Sequence, residues 1–591
     1  MSAGRQLGSF AWRSRAWCWL APGLLIACGA GQTRIGDVFN TEWQNDGGKS
    51  IRAVQSKLAN QAIPKGADVA VGIVDKGLVG VALDSGKTWA FSHAIDARPL
   101  IAGDVVVATG GGEMFALEAE TGRKLWSRPT PGQIRGAGDD GKTTLVSLEP
   151  SSHSAGMLVA VSRDGTVVRQ LEANVPIGSP AIVANLAFIP WQNQYVTVYD
   201  LTSGDEIARA ILRHQTSQAF LAGGSLYFGE VGVTRFDDRI GDAARDEASK
   251  VSLPVRELPG KPRWMRAGGV VGKTTSDAFD AIRAYALPEP TAGGLRLDGE
   301  RYYATYYRIA AGLNDVTGEL AWVRRLEDDA IGGAAYDGGV ALCQRSGKVS
   351  FFDASMGATA GQVSLGQPVR VCVVQADSLS RRAEAARPEP LVEQISQVID
   401  VTQTEMVMMH AFLLRELISQ ESPKATQRLI ELATDARTPL ELRTVARTGL
   451  ASRRNGAEYM LAALEKRYDF LAGELMPPPV GPLSDALAEM KETRAAPLLA
   501  EHLNDPANDT DDVKRAAMAL EKLATPAELE QLETFFALYR ATAHNDDLIA
   551  AVVAVGKAIV RVGGDAGREL VRQAAYDPLT VPLLQEPLKQ L

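Results

Sequence analysis

The sequence repeats one short pattern: a run of alternating apolar residues, a turn with a small residue and glycine, and then a tryptophan. The stretch FALEAETGRKLW, residues 115–126, is the clearest copy, and residues 79–89 and 310–322 have the same order of features. Alternation of apolar residues predicts a strand with one buried face, and glycine supplies the positive φ that a tight turn requires. The repeat therefore predicts a chain built from many short, similar hairpins.

The pattern recurs about every 40 residues, with weaker copies at 159–168, 196–208 and 349–360. Successive turn glycines are 36, 43, 39, 114 and 39 residues apart, and they are Gly86, Gly122, Gly165, Gly204, Gly318 and Gly357. Such a period, with several short strands in each unit, is typical of a β-propeller, whose blades complete their cores by stacking on one another. We therefore predict a propeller over residues 69–375, with seven or eight blades.

The tryptophans of the repeat, Trp89, Trp126 and Trp322, follow the turn glycine by three or four residues. We expect these large flat side chains to be structural wedges between neighbouring blades. The order of strand, Thr/Ser-Gly turn and tryptophan resembles the pyrroloquinoline-quinone-like repeat family. That resemblance implies a propeller that is either a quinone dehydrogenase or a non-catalytic scaffold.

The dehydrogenases of that family carry an adjacent cysteine pair against the quinone, and carboxylates and an asparagine that hold calcium. In this sequence the two cysteines of the propeller, Cys343 and Cys372, are 29 residues apart. The six histidines never have metal-ligand spacing, and neither a G-x-S-x-G motif nor a P-loop occurs. We predict no catalytic, metal-binding or cofactor-binding residue. The alternative is a propeller enzyme or sensor that binds a quinone or another small ligand.

The N-terminus reads as an export signal. Three arginines precede an apolar run at 16–27, which is too short to span a bilayer but fits the apolar region of a signal peptide. The run ends in LIAC, which resembles the bacterial lipobox. We predict a lipoprotein signal peptide over 1–27, lipidation at Cys28, and a tether with a short helix over 28–68; the alternative is a signal peptide whose cysteine is incidental.

Export also bears on the remaining cysteines. Cys18 would leave with the signal peptide and Cys28 would be acylated, so Cys343 and Cys372 would remain. In an oxidising periplasm these two can form a disulfide. Both also lie in apolar strand patterns, so two separate buried thiols are an equal alternative.

The composition changes after residue 375. Residues 376–591 hold 8 of the 56 glycines and none of the nine tryptophans. RRAEAARPEP lies within a predicted linker at 376–390, and apolar residues at three- and four-residue steps predict helices from Leu391 onward. Residues 391–591 resemble HEAT-type helical repeats, which stack in pairs. We expect an independent partner-binding module, the alternative being a domain packed on the propeller.

These features define a functional hypothesis. The formal charge is −9, which argues against a nucleic-acid binder. A lipobox followed by this kind of propeller resembles the BamB-like lipoproteins of outer-membrane β-barrel assembly, and this resemblance implies a non-enzymatic scaffold for envelope proteins. A glycine follows Cys28 in place of the aspartate that favours inner-membrane retention, so we predict a periplasm-facing outer-membrane lipoprotein of a Gram-negative bacterium.

Overall fold

The structure is a computed structural model. The residues that it describes are 32–33, 39, 46, 48–59, 61–150, 156–212, 216–222, 225–229, 234–236, 282–285, 301–314, 319–383, 388–400, 402–466 and 477–591. The predicted signal peptide, Cys28 and Gly318 lie outside these ranges.

Short antiparallel strands fill the described part of the predicted propeller, which confirms the fold class. In chain order the strands are β1 Gln32–Thr33, β2 Val69–Val74, β3 Gly77–Ala82, β4 Thr88–Ser92, β5 Leu100–Ala102, β6 Val105–Gly110, β7 Glu113–Glu118, β8 Lys124–Pro129, β9 Gly132–Asp139, β10 Thr143–Pro150, β11 Gly156–Ser162, β12 Val167–Ala173, β13 Ala181–Val183, β14 Leu186–Trp191, β15 Tyr195–Asp200, β16 Asp205–Ile211, β17 Ala219–Ala222, β18 Ser225–Phe228, β19 Thr234–Arg235, β20 Ile282–Tyr285, β21 Arg301–Tyr306, β22 Ile309–Asn314, β23 Leu320–Arg325, β24 Ala330–Tyr336, β25 Gly339–Gln344, β26 Lys348–Asp353, β27 Thr359–Ser364 and β28 Val371–Gln375.

Within the described ranges these strands form seven sheets. Five sheets have four strands, the sheet β1-β12-β11-β10-β9 has five, and the sheet β17-β18-β19 has three. The first strand of one sheet contacts the first strand of the next, as β5 does with β9 and β9 with β13, so these strands lie around a common axis. Strands such as β3, β6 and β14 are buried along their whole length, because neighbouring sheets cover both of their faces.

The ring closes by pairing strands from its two ends. β28 pairs antiparallel with β2, with Val69 opposite Gln375, so one sheet has the order β28-β2-β3-β4. We call it the closing sheet. The pairing satisfies backbone groups of both strands and joins the two ends of the propeller chain in one sheet.

The turn glycines behave as the repeat predicts. Five of them have φ between +62° and +85°, the left-handed region that other residues rarely adopt, and they are Gly86, Gly122, Gly165, Gly204 and Gly357. Each follows the third strand of its sheet, so the repeating unit of the sequence is the outer hairpin of a blade.

The N-terminal segment lies on the outer edges of two sheets. β1 adds to β12 as a parallel fifth strand, with Gln32 opposite Gln170, which the sequence did not predict. Helix α1, Lys49–Ala59, packs on β16 through its buried residues Ile51, Val54 and Leu58. Hydrophobic residues at three- and four-residue steps place these three side chains on one helical face.

The C-terminal third is helical. Its helices are α2 Leu391–Val398, α3 Val407–Ser419, α4 Pro423–Thr434, α5 Leu440–Ala451, α6 Ala457–Leu464, α7 Val480–Glu489, α8 Ala496–His502, α9 Thr510–Leu523, α10 Leu529–Thr542, α11 Asp546–Tyr576 and α12 Pro582–Lys589. Alternate helices α3, α5, α7, α9 and α11 contact one another in one layer, and the helices between them form a second layer. This is the arrangement of stacked helix pairs in an α-solenoid. Gly564, with φ +60°, bends α11.

The solenoid does not stand apart from the propeller. Val323 and Tyr306 of the sheet β20–β23 share one hydrophobic core with Ile395 of α2 and Phe412 of α3. Buried Gln394 accepts a hydrogen bond from the backbone N–H of Val323, at 3.1 Å, on the outer edge of this sheet. The first helices are therefore packed on the propeller, which fits the alternative of a domain packed there; independent folding of residues 391–591 stays a prediction.

Candidate functional site

The tryptophans of the repeat lie between neighbouring sheets. Trp89 of β4 packs on the turn of the next sheet at Gly122, where an added Cβ would come within 2.4 Å of the indole ring. Its Nε1 donates a hydrogen bond to the carbonyl oxygen of Ala119 at 2.8 Å. The missing side chain at Gly122 thus makes room for the tryptophan, so glycine has a packing role as well as a conformational one.

The other two tryptophans repeat this contact. Fully buried Trp322 packs on Gly357, and its Nε1 donates to the carbonyl oxygen of Ala354 at 3.1 Å. Trp126 packs on Gly165, but within the described ranges its Nε1 has no hydrogen-bond partner. The three side chains therefore occupy equivalent positions between blades, and their contribution to stability stays a prediction.

Arginines add a second contact between blades, which our sequence analysis missed. Arg128 and Arg324 each lie two residues after a tryptophan, and their Nε atoms donate to the carbonyl oxygens of Gly165 and Gly357, both at 2.9 Å. Arg169, whose strand lacks the tryptophan, donates at 2.9 Å to the carbonyl oxygen of the residue after β15. The sequence could have indicated these contacts, because two copies of the repeat have an arginine two residues after the tryptophan.

At the closing sheet, the arginine that contacts carbonyl oxygens of a neighbouring blade belongs to the predicted linker. Arg381 donates to the carbonyl oxygens of Leu83 and Asp84, at 2.6 and 2.9 Å, and its guanidinium lies 4.4 Å from the ring centroid of Phe351. The described part of 376–390 is therefore bound across the seam of the ring. The composition of this segment predicts a linker, but a single arginine within it makes all of these contacts.

The two propeller cysteines also meet at the seam. The Sγ atoms of Cys343 and Cys372 lie 2.16 Å apart, as in a disulfide, and both residues are fully buried. The bond joins β25 to β28. It therefore ties the closing strand to the preceding sheet, in a place where no solvent reaches it.

One cleft of 740 Å³ opens beside this seam, and we call it the seam cleft. It lies between the closing sheet and the sheet β24–β27. Its lining combines apolar side chains with exposed cations, among them Leu78, Phe91, Val369, Lys76, Arg345 and Arg370. Exposed Asp75 is also part of the lining and forms an ion pair with Arg370 at 3.9 Å, which is weak because water screens it. Apolar surface bordered by cations can bind an extended peptide segment that carries acidic residues.

A second cleft, of 400 Å³, lies between the sheets β9–β12 and β13–β16. Trp191, Asn193 and the ion pair of Arg135 with Glu149 are part of its lining. Both clefts open on the face formed by the turns that join the second and third strands of the sheets. Both clefts are therefore open to a partner on the same face of the ring.

A further surface lies at the far end of the solenoid. Tyr576, Leu579 and Leu583, which we call the terminal patch, are 68%, 71% and 67% exposed. They follow one another from the end of α11 to the start of α12. Apolar residues close together on a surface are typical of protein contacts.

Two observations concern the ionisable groups in the described part of the chain. No group of three or more His, Cys, Asp or Glu side chains there could hold a metal ion. Buried Asp139 accepts hydrogen bonds from Arg163 at 2.6 Å and Thr144 at 2.7 Å, and burial raises its pKa to about 7. These partners hold together two neighbouring turns, which is a structural role.

His410 of α3 is the most unusual ionisable group of the propeller–solenoid contact. It is 1% exposed, and neither ring nitrogen has a hydrogen-bond partner among the described residues. Burial lowers its pKa to about 4, with smaller effects from nearby Asp400, Arg325 and Glu405. The side chain is therefore held neutral, and no cleft identified above is lined by it.

The propeller part matches a family model described as "Outer membrane protein assembly factor BamB", over residues 74–231. Over these residues the propeller is therefore similar to BamB-like propellers of the pyrroloquinoline-quinone-type repeat, as the strand repeats of the sequence predict. The match covers about a quarter of the chain and leaves the solenoid unmatched. None of the curated proteins matches the sequence.

Three solved structures show weak overall similarity. BamB from Moraxella catarrhalis is 14% identical, with 52% of this chain and 76% of that chain covered and a TM-score of 0.21. The computationally designed Ika8 protein is 12% identical, with 54% and 94% covered and a TM-score of 0.30. Hsv2 from Kluyvelomyces marxianus is 8% identical, with 44% and 77% covered and a TM-score of 0.26. Scores at this level carry no argument about function.

Cys28 lies outside the described residues, so its lipidation stays a prediction. Among the helices of the described ranges, none combines the length and apolar character needed to span a bilayer.

Proposed function

We propose that this protein is a non-enzymatic, lipid-anchored scaffold of a Gram-negative cell envelope, acting in the assembly of outer-membrane β-barrel proteins. The observation that carries the proposal is the match of residues 74–231 to the family model described as an outer membrane protein assembly factor. Lipid on Cys28 would hold the chain at the periplasmic face of the outer membrane. Its partners would be envelope proteins.

The surfaces of the molecule support a binding role. The seam cleft presents apolar side chains and three cations, and the terminal patch presents exposed Tyr576, Leu579 and Leu583 at the far end of the solenoid. Two separate surfaces on a propeller and a solenoid that share a hydrophobic core can bring two components together. This is what a scaffold requires, and it needs no reaction centre.

The test is genetic and uses charge reversal in the seam cleft. A strain without this protein should contain less assembled β-barrel protein in its outer membrane, and the wild-type chain should restore it. Arg345→Glu with Arg370→Glu should restore it poorly, because both side chains are exposed cations of the seam cleft. The matched control is Lys87→Glu with Lys124→Glu, exposed lysines that do not line either cleft.

Two results would contradict the proposal. Normal levels of assembled β-barrel proteins in the deletion strain would exclude a role in their assembly. Full restoration by the seam-cleft variant would show that this cleft is not the binding surface. The anchor is tested separately: Cys28→Ser should move the protein from the membrane fraction to the soluble periplasm, since stable anchoring requires the acyl chains.

A further inference from the structure

The N-terminal segment has little freedom between the predicted lipid and the propeller. β1 begins at Gln32, four residues after Cys28, and is paired with β12. Four extended residues span at most about 14 Å. A lipid on Cys28 would therefore hold the outer edge of the sheet β9–β12 close to the membrane, without a long flexible spacer.

The chain continues from this edge to the outer edge of the next sheet. Phe39 packs edge-to-face on Trp191, with ring centroids 5.7 Å apart, in the core between the sheets β9–β12 and β13–β16. α1 then packs on β16. β1 and α1 thus lie on the outer edges of two neighbouring sheets, and the chain between them is fixed by Phe39 in the core between these sheets. The arc of β1 and α1 is the part of the outer rim that follows Cys28 in the chain.

The exposed face of α1 is cationic and flat. With 100° between successive residues, Lys49, Arg52 and Lys57 lie around a face whose centre is formed by the small residues Ala53 and Ser56. All five are exposed, whereas the opposite face is buried against the propeller. The helix itself contains no acidic residue. Exposed Asp46 precedes it and accepts hydrogen bonds from the backbone N–H groups of Gly48 and Ser50, at 3.0 and 2.8 Å, so the net charge of this surface is set by three cations and one carboxylate.

We propose that this face of α1 rests on the anionic phospholipid headgroups of the membrane that holds the lipid of Cys28. The inference rests on the lipid anchor of the proposed function and adds an orientation: the arc of β1 and α1 faces the membrane. Cations near an anionic membrane surface favour association about fivefold each. Small central residues let the backbone approach the surface closely.

Lys57 also has an acidic partner. Lys57 forms an ion pair with Asp200 at 3.5 Å, and its side chain is 52% exposed. Exposed ion pairs of this length contribute little, because water screens them. Lys57 therefore remains available to headgroups, with a weaker contribution than Lys49.

The test uses the acylated full-length protein in vesicles. Ser56→Cys places a fluorophore in the centre of the exposed face, and Ser355→Cys places one on an exposed turn of the sheet β24–β27 as a control. The vesicles contain phosphatidylethanolamine with phosphatidylglycerol, or phosphatidylcholine alone, and a lipid with a quencher on its headgroup. We expect at least fivefold stronger quenching at position 56 than at 355, in the anionic vesicles only.

A charge variant tests the cause. Lys49→Gln, Arg52→Gln and Lys57→Gln together should reduce quenching at position 56 to the level seen in phosphatidylcholine. The matched variant replaces three exposed lysines elsewhere that line neither cleft, Lys87, Lys124 and Lys491, by glutamine and should keep full quenching.

The failures are distinguishable. Protein that floats with the vesicles but shows equal quenching at both positions overturns the orientation and leaves the anchor intact. Unchanged quenching in the α1 charge variant overturns the role of its cations. Protein that floats with neither kind of vesicle contradicts the lipid anchor, and the inference with it.

Discussion

The propeller and the solenoid complete their cores in different ways. The propeller is a ring in which its last strand, β28, pairs with β2, so Val69 and Gln375 become neighbours. The solenoid is an open stack in which each helix contacts the next one or two helices. The ring depends on contacts between residues far apart in sequence, whereas the stack depends on local ones. Loss of one contact should therefore affect the whole ring but only part of the stack.

The two ends of the solenoid differ in whether another part of the chain covers them. Its first end is closed by the propeller, through the shared core and through Gln394 on the strand edge at Val323. Its last end exposes the terminal patch. An open stack needs a cover at each end. Here the propeller covers one end, and the other is the surface that we assign to a partner.

The largest expected loss of stability follows from a substitution in the propeller ring. Trp322→Ala should lower the free energy of unfolding by about 3–5 kcal/mol, because it removes a fully buried aromatic side chain and opens a cavity between two sheets. Leu583→Ala in the exposed terminal patch is the control and should change it by less than about 0.5 kcal/mol. Denaturant unfolding of both variants measures the difference. Equal effects would contradict the contrast between ring and stack.

Reduction of the disulfide should have the next largest effect. Cys343 and Cys372 close a loop of 29 residues in sequence separation, so the bond stabilises the fold by about 3–4 kcal/mol in the chain-entropy account. Cys343→Ala with Cys372→Ala should lower the unfolding midpoint, and a reducing agent should then have no further effect. If the variant and the wild type unfold at the same denaturant concentration, the bond does not stabilise the closing sheet.

The contact between the two regions should be acid-sensitive. Burial lowers the pKa of His410 to about 4, from 6.5 in the unfolded chain, so below pH 6.5 the unfolded state takes up a proton that the folded state resists. Stability should fall from pH 6.5 to about pH 4, by up to about 3 kcal/mol. His410→Gln should flatten this part of the pH profile, and His544→Gln, at an exposed position, should not. A profile that His410→Gln leaves unchanged would assign the acid sensitivity to other groups.

A smaller loss of stability is expected where α2 of the solenoid contacts the edge of β23. Gln394→Leu leaves the buried N–H of Val323 without its acceptor, which should cost about 1–3 kcal/mol. Gln397→Leu, an exposed position of the same helix, is the control. Denaturant unfolding compares the two. Equal stability of both variants would show that the edge contact is not needed.

The sequence predicts what is local and repeated. The turn glycines and the tryptophans recur in fixed order, and the structure places Trp89, Trp126 and Trp322 at equivalent positions because each must fill the same space on a turn glycine of the next sheet. The helices from Leu391 onward follow from their apolar periodicity. These features depend on neighbours within a few residues or within one repeat.

What joins distant parts of the chain was not predicted. A two-residue strand such as β1 is too short to show any periodicity in the sequence. The amphipathic pattern of α2 predicts that one face of this helix is buried, but it does not predict that this face packs on β23. The contacts of Arg381 with the carbonyl oxygens of Leu83 and Asp84 join residues almost 300 positions apart. Such pairings depend on the closed ring, which exists only in the folded chain.

Hydrogen exchange on the full-length protein tests most directly whether the solenoid begins as part of the propeller. We expect amides of β23 and α2 to be protected together and as strongly as those of β22, because Gln394 and the shared core join them. Protection should then decrease along the stack toward α12. Rapid exchange of α2 while β22 and β23 remain protected would contradict the account, because the solenoid would then open independently of the ring.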